Sequence, residues 1–349
     1  MYITNVHNIK ILGAGISGLT AAINLALRGF HVEVYERRGN VGSQLKGDFQ
    51  GLENWTSPKD ALSFLSEINI KPDFEYEPFK ECYHYDNNLK KYTMKSLNVG
   101  FYLIRRGPME GTLDRYLENL AKHVGVTIHY NSVEEMNNVD IIATGCQKPF
   151  GIAAGYNFDT DIDKLALVII DHTIAPHGYT YLLGLRGRGT LAVVSKAHTK
   201  ELSRYLERAI DRFQKVSKFQ IDNPVNFGGV ATRFRKLGSG TPRVGEAGGF
   251  QDAMWGFGLR LAFHTGYLAA KAISEKLNYW ALVRKEVVPL CKSSTVNRLL
   301  SDLFKQRRYN SILSSLANAP DPIVRANRLY APIRIKTCLF PIANIFIRQ

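Results

Sequence analysis

Between Ile9 and Arg38 the chain reads IKILGAGISGLTAAINLALRGFHVEVYERR. Three glycines, Gly13, Gly15 and Gly18, stand in G-x-G-x-x-G spacing, and an acid, Glu36, follows eighteen residues after the last of them. Those residue types at that spacing suit the holding of a dinucleotide. Gly13 permits a tight turn, Gly15 lets backbone approach a pyrophosphate, and Gly18 lets a helix pack on a sheet. Together with Ile16 and Ser17 they would offer free N–H groups and the positive end of a helix dipole to the phosphates. Glu36 can accept both hydroxyls of an adenosine ribose and disfavours a 2′-phosphate, which makes NADPH a poor fit. Arg37 and Arg38 follow directly and argue the other way. The motif leaves FAD and NAD both open.

The elements that must position these residues are legible nearby. Ile9 to Leu12 reads as a short buried strand. A helix follows to about Arg28, with Ala21, Ala22, Leu25 and Ala26 as its apolar face and Gly29 as its stop. His31 to Tyr35 alternates as a second strand. Leu113, Leu117 and Leu120 stripe another helix, preceded by Arg105 and Arg106 and followed by the strand Val126 to Tyr130. Val139 to Ile142 reads as a strand that ends in Ala143-Thr144-Gly145. From Arg243 a glycine-dense stretch contains Gly245-Glu246-Ala247-Gly248-Gly249, Asp252 and the turn Gly256-Phe257-Gly258. It leads into a helix whose buried face is Leu259, Ala262, Phe263, Gly266, Ala269, Ala270 and Ile273. Glycine at that density implies backbone close to something flat or phosphorylated. The positive end of the helix would favour a neighbouring negative charge.

In this order the segments resemble the geranylgeranyl reductase branch of the FAD-dependent enzymes typified by para-hydroxybenzoate hydroxylase. The resemblance runs in outline from Ile9 to Ile273. It implies an α/β fold, with a Rossmann-like FAD domain of the two-dinucleotide-binding type and an inserted mixed β-sheet substrate domain. It also implies that Thr144 and Gly145 close the nucleotide domain beside the FAD, and that Arg105 or its neighbour Arg106 lies near it. Glu246 takes the place of the acid that binds the ribityl chain, which is usually Asp. Gly256 and Gly258 begin the helix aimed at the flavin pyrimidine ring. The stretch Ala175 to Val194 resembles the aromatic strand and hairpin of the isoprenoid pocket, with Tyr179 and Tyr181 at its two aromatic positions and Leu183-Gly184 in place of Phe-Pro. Lys46-Gly47 stands where the branch often carries Arg-Cys near the flavin. The Asp-Gly segment of the hydroxylases and the W-x-W-x-I-P of flavin halogenases are absent from the sequence.

Composition bounds the rest. The chain has 349 residues, 45% hydrophobic and 22% charged, ordinary for a globular protein. Cys82, Cys146, Cys291 and Cys338 include no C-x-x-C pair, which argues against zinc, iron–sulfur or a disulfide framework and for reduced cytosolic thiols. No stretch is apolar for long enough to span a bilayer, and no basic segment precedes the first apolar stretch as in a cleaved leader. Net charge is +14, and from Ala281 onward twelve Lys and Arg face three Asp and Glu. Such a basic tail fits an anionic partner.

The expected organisation is a discontinuous FAD domain over residues 1–72, 100–150 and 236–275. Residues 73–99 and 151–235 would form a strand-rich substrate domain, with Asp86-Asn87-Asn88 as a hairpin turn. Residues 276–349 would be a basic helical segment. There Val296, Leu299, Leu300, Leu303 and Phe304 share one face, and Arg298, Lys305, Arg307 and Arg308 fall away from it. The final stretch, with Arg334, Lys336 and Arg348, fits either a lipid interface or a helical cap.

The expected activity is FAD-dependent reduction of isoprenoid carbon–carbon double bonds. Electrons would come from NAD(P)H or a reduced protein such as ferredoxin. The proton would come from Tyr179, Tyr181 or a water. A flavin monooxygenase on an aromatic or polyketide-like substrate, and a non-redox flavoprotein similar to lycopene cyclase, are the alternatives. The expected partners are a hydrophobic or lipid substrate and, through the basic tail, a membrane surface. Nucleic acid is not expected, because the tail lacks aromatic interleaving. The expected location is the cytoplasm, with association at the inner membrane surface as an option.

Overall fold

The computed structural model describes residues 8–196 and 201–346. Arg348 and the residues ahead of Asn8 lie outside the described residues. In chain order the first half holds β1 (Asn8–Leu12), α1 (Ile16–Ala26), β2 (His31–Glu36), β3 (Phe49–Glu53), α2 (Ala61–Glu67), β4 (Tyr76–Phe79), β5 (Glu81–Tyr85), β6 (Lys91–Lys95), β7 (Phe101–Arg105), α3 (Leu113–His123), β8 (Thr127–Tyr130) and β9 (Ile141–Ile142). The second half holds β10 (Gly151–Asp159), β11 (Lys164–Ile169), β12 (Tyr179–Leu185), β13 (Arg188–Ser195), α4 (Leu202–Val216), β14 (Asp222–Ala231), α5 (Leu259–Ser274), α6 (Tyr279–Glu286), α7 (Val288–Ala317), α8 (Pro322–Tyr330) and α9 (Arg334–Phe346).

A parallel sheet in the order β8-β2-β1-β9 carries the nucleotide motif. Its strands are rich in Val and Ile, as strands covered on both faces require. Ile11, Val32, Val34 and Ile141 are buried with Leu19, Ile23 and Leu25 of α1 and with Phe263 of α5. Helices α1 and α5 pack closely because Gly266 has no side chain: a Cβ there would lie 2.3 Å from the Ser17 carbonyl oxygen. Helix α3 starts where the Thr112 hydroxyl accepts from the Arg115 N–H at 3.3 Å. It buries Leu113, Leu117 and Ala121.

A small antiparallel sheet, β3-β7-β4, separates this layer from a seven-stranded mixed sheet, β14-β10-β13-β12-β11-β5-β6. The β5–β6 hairpin turns at Asp86, which accepts the N–H groups of Asn88 and Lys90. One face of the large sheet buries Leu182, Leu191 and Val193 against Leu206, Ala209 and Phe213 of α4. The strand-rich stretch 151–235 also contains a helix, and the 3.6-residue spacing of Leu202, Leu206, Ala209 and Phe213 explains it. The other face of β12 presents Tyr179, Tyr181, Leu183 and Leu185, all partly exposed.

The C-terminal helices depart from the expected stripe. Arg298 is buried, and Leu303 and Phe304 are 61% and 60% exposed. Arg298 donates to Asp302 at 3.0 Å and to the carbonyls of Met254 and His177, so its charge is satisfied inside the fold. Helix α7 breaks at Lys305, whose φ is 48°. That break ends the periodicity which would have carried Leu303 and Phe304 inward. Among the described residues no helix is long and apolar enough to cross a membrane.

Candidate active site

The glycine loop follows β1 directly. Gly13 has φ +105°, and a Cβ there would lie 2.4 Å from the Ala143 carbonyl oxygen, so the turn admits glycine alone. Gly18 abuts the Gly13 carbonyl. Ile16 and Ser17 are buried in the first turn of α1, whose N-cap is Gly15. A Cβ on Gly15 would meet nothing within 4 Å, so the loop faces open space at the helix N-terminus. The Glu36 carboxylate closes the pocket by accepting the Ala14 and Arg38 N–H groups at 3.0 Å each. A carboxylate has about four acceptor positions, which leaves room for two ribose hydroxyls. Arg37 is exposed on the surface beside it.

Beyond β9, Ala143 is tied to Leu12 by a 2.7 Å hydrogen bond, and Thr144 and Gly145 follow on the glycine-loop side. The Thr144 hydroxyl accepts from Gln147 at 2.8 Å. Gly145 has φ +77°, and a Cβ there would also meet only open space. Arg243 pairs with Ile142, which brings Gly245 to α1, close to the Ser17 hydroxyl.

The next residue, Glu246, is held by the Cys146 N–H. Burial raises its pKa, and the Arg106 guanidinium and that N–H oppose the rise. Arg106 forks onto Asp114, with Nε to Oδ2 at 2.8 Å and a terminal nitrogen to Oδ1 at 2.9 Å, and reaches Gln50 at 2.6 Å. Burial works against its charge, but Asp114 outweighs burial and holds the guanidinium above its usual pKa. Arg105 points the other way. It donates to Glu75 at 3.1 Å and to the Glu110 carbonyl at 3.3 Å. The structure thus brings Arg106, rather than Arg105, to Glu246.

The loop before α5 is organised by two buried side chains. Asp252 accepts the N–H groups of Met254 and Trp255 at 3.0 Å each and the Tyr330 hydroxyl at 2.9 Å. Gln251 donates to the Gly256 carbonyl at 2.7 Å and accepts the Thr232 N–H at 2.5 Å. Gly256 has φ +79°, and Gly258 is the N-cap of α5. Helix α5 therefore aims its free N–H groups into the space between the two layers. Tyr179 donates its hydroxyl to the Trp255 carbonyl and lies beside Gly256. Tyr181 lies next to it, with ring centroids 6.3 Å apart. Among the described residues its hydroxyl has no hydrogen-bond partner. Burial raises the pKa of both phenols, and Asp48 adds to the rise at Tyr181.

These residues fit FAD. The open faces at Gly15 and Gly145 and the free valences of Glu36 suit the adenine half. A further sign is Ser43, whose Oγ is buried without a hydrogen-bond partner. It lies in the loop beside Gly42, whose backbone touches Asp114 and Gly107. Ser43, Asp48, Asp114 and Gln251 escaped the motif reading, and of the two arginines it named, only alternation could have chosen: Tyr102 and Ile104 face the main core, and period two puts Arg106 on their side.

Beneath the start of α5, Glu53 is 2% exposed and its Oε2 has no partner. Burial pushes its pKa up from 4.5 to about 7. A raised carboxyl pKa favours the folded state below the unfolded value, and that advantage is lost as pH rises through the folded value. Glu53→Gln keeps an acceptor for the Thr56 hydroxyl, which sits 2.6 Å from Oε1, and removes the titration. Its stability relative to the parent should rise by roughly 2–3 kcal/mol between pH 5 and pH 8. Urea melts at both pH values check this, and parallel pH profiles would contradict it.

Comparisons with known proteins bear on the fold and its relatives. A model of the NAD(P)-binding Rossmann-like domain matches residues 11–48. A digeranylgeranylglycerophospholipid reductase of Thermoplasma volcanium is 26% identical over 328 residues, covering 78% of this chain and 78% of the relative. The reductase of the same name from Haloferax volcanii is 21% identical, with 91% of both chains covered. Among solved structures, a geranylgeranyl bacteriochlorophyll reductase-like protein from Thermoplasma acidophilum superposes with a TM-score of 0.72 at 19% identity, covering 96% of this chain and 98% of that one. A flavin-dependent brominase superposes with a TM-score of 0.64 at 14% identity, with 98% of both covered. The chain has the mixed α/β fold of the FAD-dependent oxidoreductases, and its sequence relatives include geranylgeranyl-type reductases.

Proposed function

We propose that the chain reduces carbon–carbon double bonds of an isoprenoid lipid. The observation that carries the reading is the place of Tyr179 and Tyr181: an aromatic face of β12 packed on the Asp252–Gly258 loop at the N-terminus of α5. The relatives' names point to a prenyl glycerophospholipid as the substrate class. Bound FAD would supply the hydride.

The residues of the chain bind, orient and protonate. The start of α1 and Glu36 would hold the pyrophosphate and ribose. Glu246, kept next to Arg106, would reach the ribityl chain. The N–H groups at Gly258 and the dipole of α5 would favour negative charge on the reduced flavin. The Tyr179 hydroxyl is committed to the Trp255 carbonyl, so its ring serves as a wall. The Tyr181 hydroxyl is uncommitted, and its raised pKa keeps it protonated through the physiological range. It is the better placed of the two to deliver a proton to the second alkene carbon. NAD(P)H or a reduced protein would return the electrons.

Lipid would reach this space from a membrane surface. Helix α9 exposes Ile335, Ile342, Ile345 and Phe346, with Arg334 at its start, which suits an interfacial segment. The test is mass spectrometry of a digeranylgeranyl glycerophospholipid incubated with the FAD-loaded, chemically reduced protein without oxygen. A gain of two hydrogens per reduced double bond is expected. An unchanged lipid mass would contradict the reading.

A further inference from the structure

Arg105, turned away from the nucleotide, lines a separate cavity of about 220 Å³ between β7 and the β12–β13 hairpin. Phe49, Leu103 and Leu185 line its apolar side, Arg186 and Arg188 join Arg105 on its charged side, and Tyr76 and the Glu75 carboxylate complete the lining. The space is below the range of about 300–1,000 Å³ that a whole ligand fills, so it suits a small group.

The charges around it do not balance. Arg105 pairs with Glu75 at 3.1 Å, and Glu77 is shared between Arg186 at 3.0 Å and Lys164 at 2.6 Å. The Arg188 side chain has no hydrogen bond or ion pair among the described residues, and Asp159 stands opposite it in the β10–β13 pair. Three arginines thus line the cavity with one carboxylate, Glu75, and burial, helped by the proximity of Arg188, works against the charge on Arg105. An anion would relieve both. Guanidinium forks match phosphate oxygens in shape as well as charge.

On its apolar side the lining continues along β12, where Leu183 and Leu185 pack on Phe49, Phe79 and Leu103. Leu185 ends the row Tyr181, Leu183, Leu185 on one face of β12. Four residues of strand span about 13 Å, which separates the cavity from Tyr181 by the length of a chain segment. Phe49 follows Asp48, the carboxylate whose charge Tyr181 senses.

We propose that the cavity bounded by Arg105, Arg186 and Arg188 receives the phosphate of the prenyl lipid's headgroup, with the hydrocarbon chain running over Leu185 and Leu183 toward Tyr181. This rests on the prenyl-lipid reading above and adds where the polar end sits.

The experiment measures the Kd of geranylgeranyl phosphate and of geranylgeraniol by calorimetry on the full-length, FAD-loaded protein. The parent should prefer the phosphate. Arg188→Ala should cut that preference roughly tenfold, the scale of one charge-assisted contact. Arg188→Lys should keep part of it, because it retains the charge without the fork. An unchanged preference in Arg188→Ala would overturn the proposal. Inorganic phosphate that binds as tightly as the phosphorylated lipid, and loses that affinity in Arg188→Ala, would assign the cavity to free phosphate and also overturn it. The reductase reading is judged separately, by the mass change of the digeranylgeranyl glycerophospholipid, while the binding preference decides the cavity.

Discussion

Tyr181→Phe is expected to lower kcat by roughly 10²–10⁴-fold and to leave KM nearly unchanged, the signature of a lost general acid. Phe keeps the ring that packs beside Tyr179 and removes only the hydroxyl. That hydroxyl has no partner among the described residues, so its removal breaks no hydrogen bond in the resting fold. A stability change below about 1 kcal/mol is therefore expected. Tyr179→Phe provides the contrast. It removes the hydrogen bond to the Trp255 carbonyl and should loosen the loop before α5, costing roughly 0.5–1.5 kcal/mol of stability. Steady-state kinetics and urea melts of both variants separate the two roles. A Tyr181→Phe enzyme with parental kcat would hand the proton to water.

The second large effect is structural. Asp114 is 2% exposed in its side chain and balances Arg106, which is 11% exposed. It also accepts the Gly107 N–H at 2.9 Å. Removing one partner of a buried pair leaves an uncompensated charge and costs roughly 3–5 kcal/mol, a large part of a stability of about 5–15 kcal/mol. Asp114→Ala should lower the urea midpoint accordingly, without a change in slope. Asp114→Asn, which keeps the shape, should lose less and serves if the alanine variant fails to fold. Either variant should also weaken FAD binding, because Arg106 would no longer be fixed beside Glu246. A loss under about 1 kcal/mol in both variants would contradict the assignment of the pair.

The nucleotide end of the site was legible because its requirements are local. A turn with positive φ, a close helix approach and an acid at the end of the second strand all leave marks within thirty residues. Glycine records each constraint as a missing side chain. The flavin end depends on contacts between segments far apart in the chain, and there the sequence was readable only in part. Glu246 could be singled out from its glycine neighbours, but its partner was decided by which of two adjacent arginines shares a face with Tyr102 and Ile104. Strand alternation holds that information only once the direction of the core is known. Asp252 looked like one polar residue in a loop. Its work is done by backbone N–H groups and by Tyr330, seventy-eight positions away.

The C-terminal helices show the limit of periodicity most clearly. Arg298 and Leu303 exchanged their expected environments because two backbone carbonyls and Asp302 satisfy a buried cation, and a break at Lys305 interrupts the helix. Neither cause is written in the spacing of apolar residues. Helix α4 was the opposite case: its spacing is regular, and it was hidden only because strands surround it.

Flavin monooxygenases and prenyl reductases share this architecture, and fold does not fix chemistry. The deciding measurement is anaerobic. The FAD-loaded protein is reduced with dithionite, freed of excess reductant and mixed without oxygen with a digeranylgeranyl glycerophospholipid, and the visible flavin bands are followed. Their return with the lipid alone is the expected result and establishes electron transfer to the alkene. Bands that stay bleached until air is admitted would contradict the reductase assignment and favour a monooxygenase.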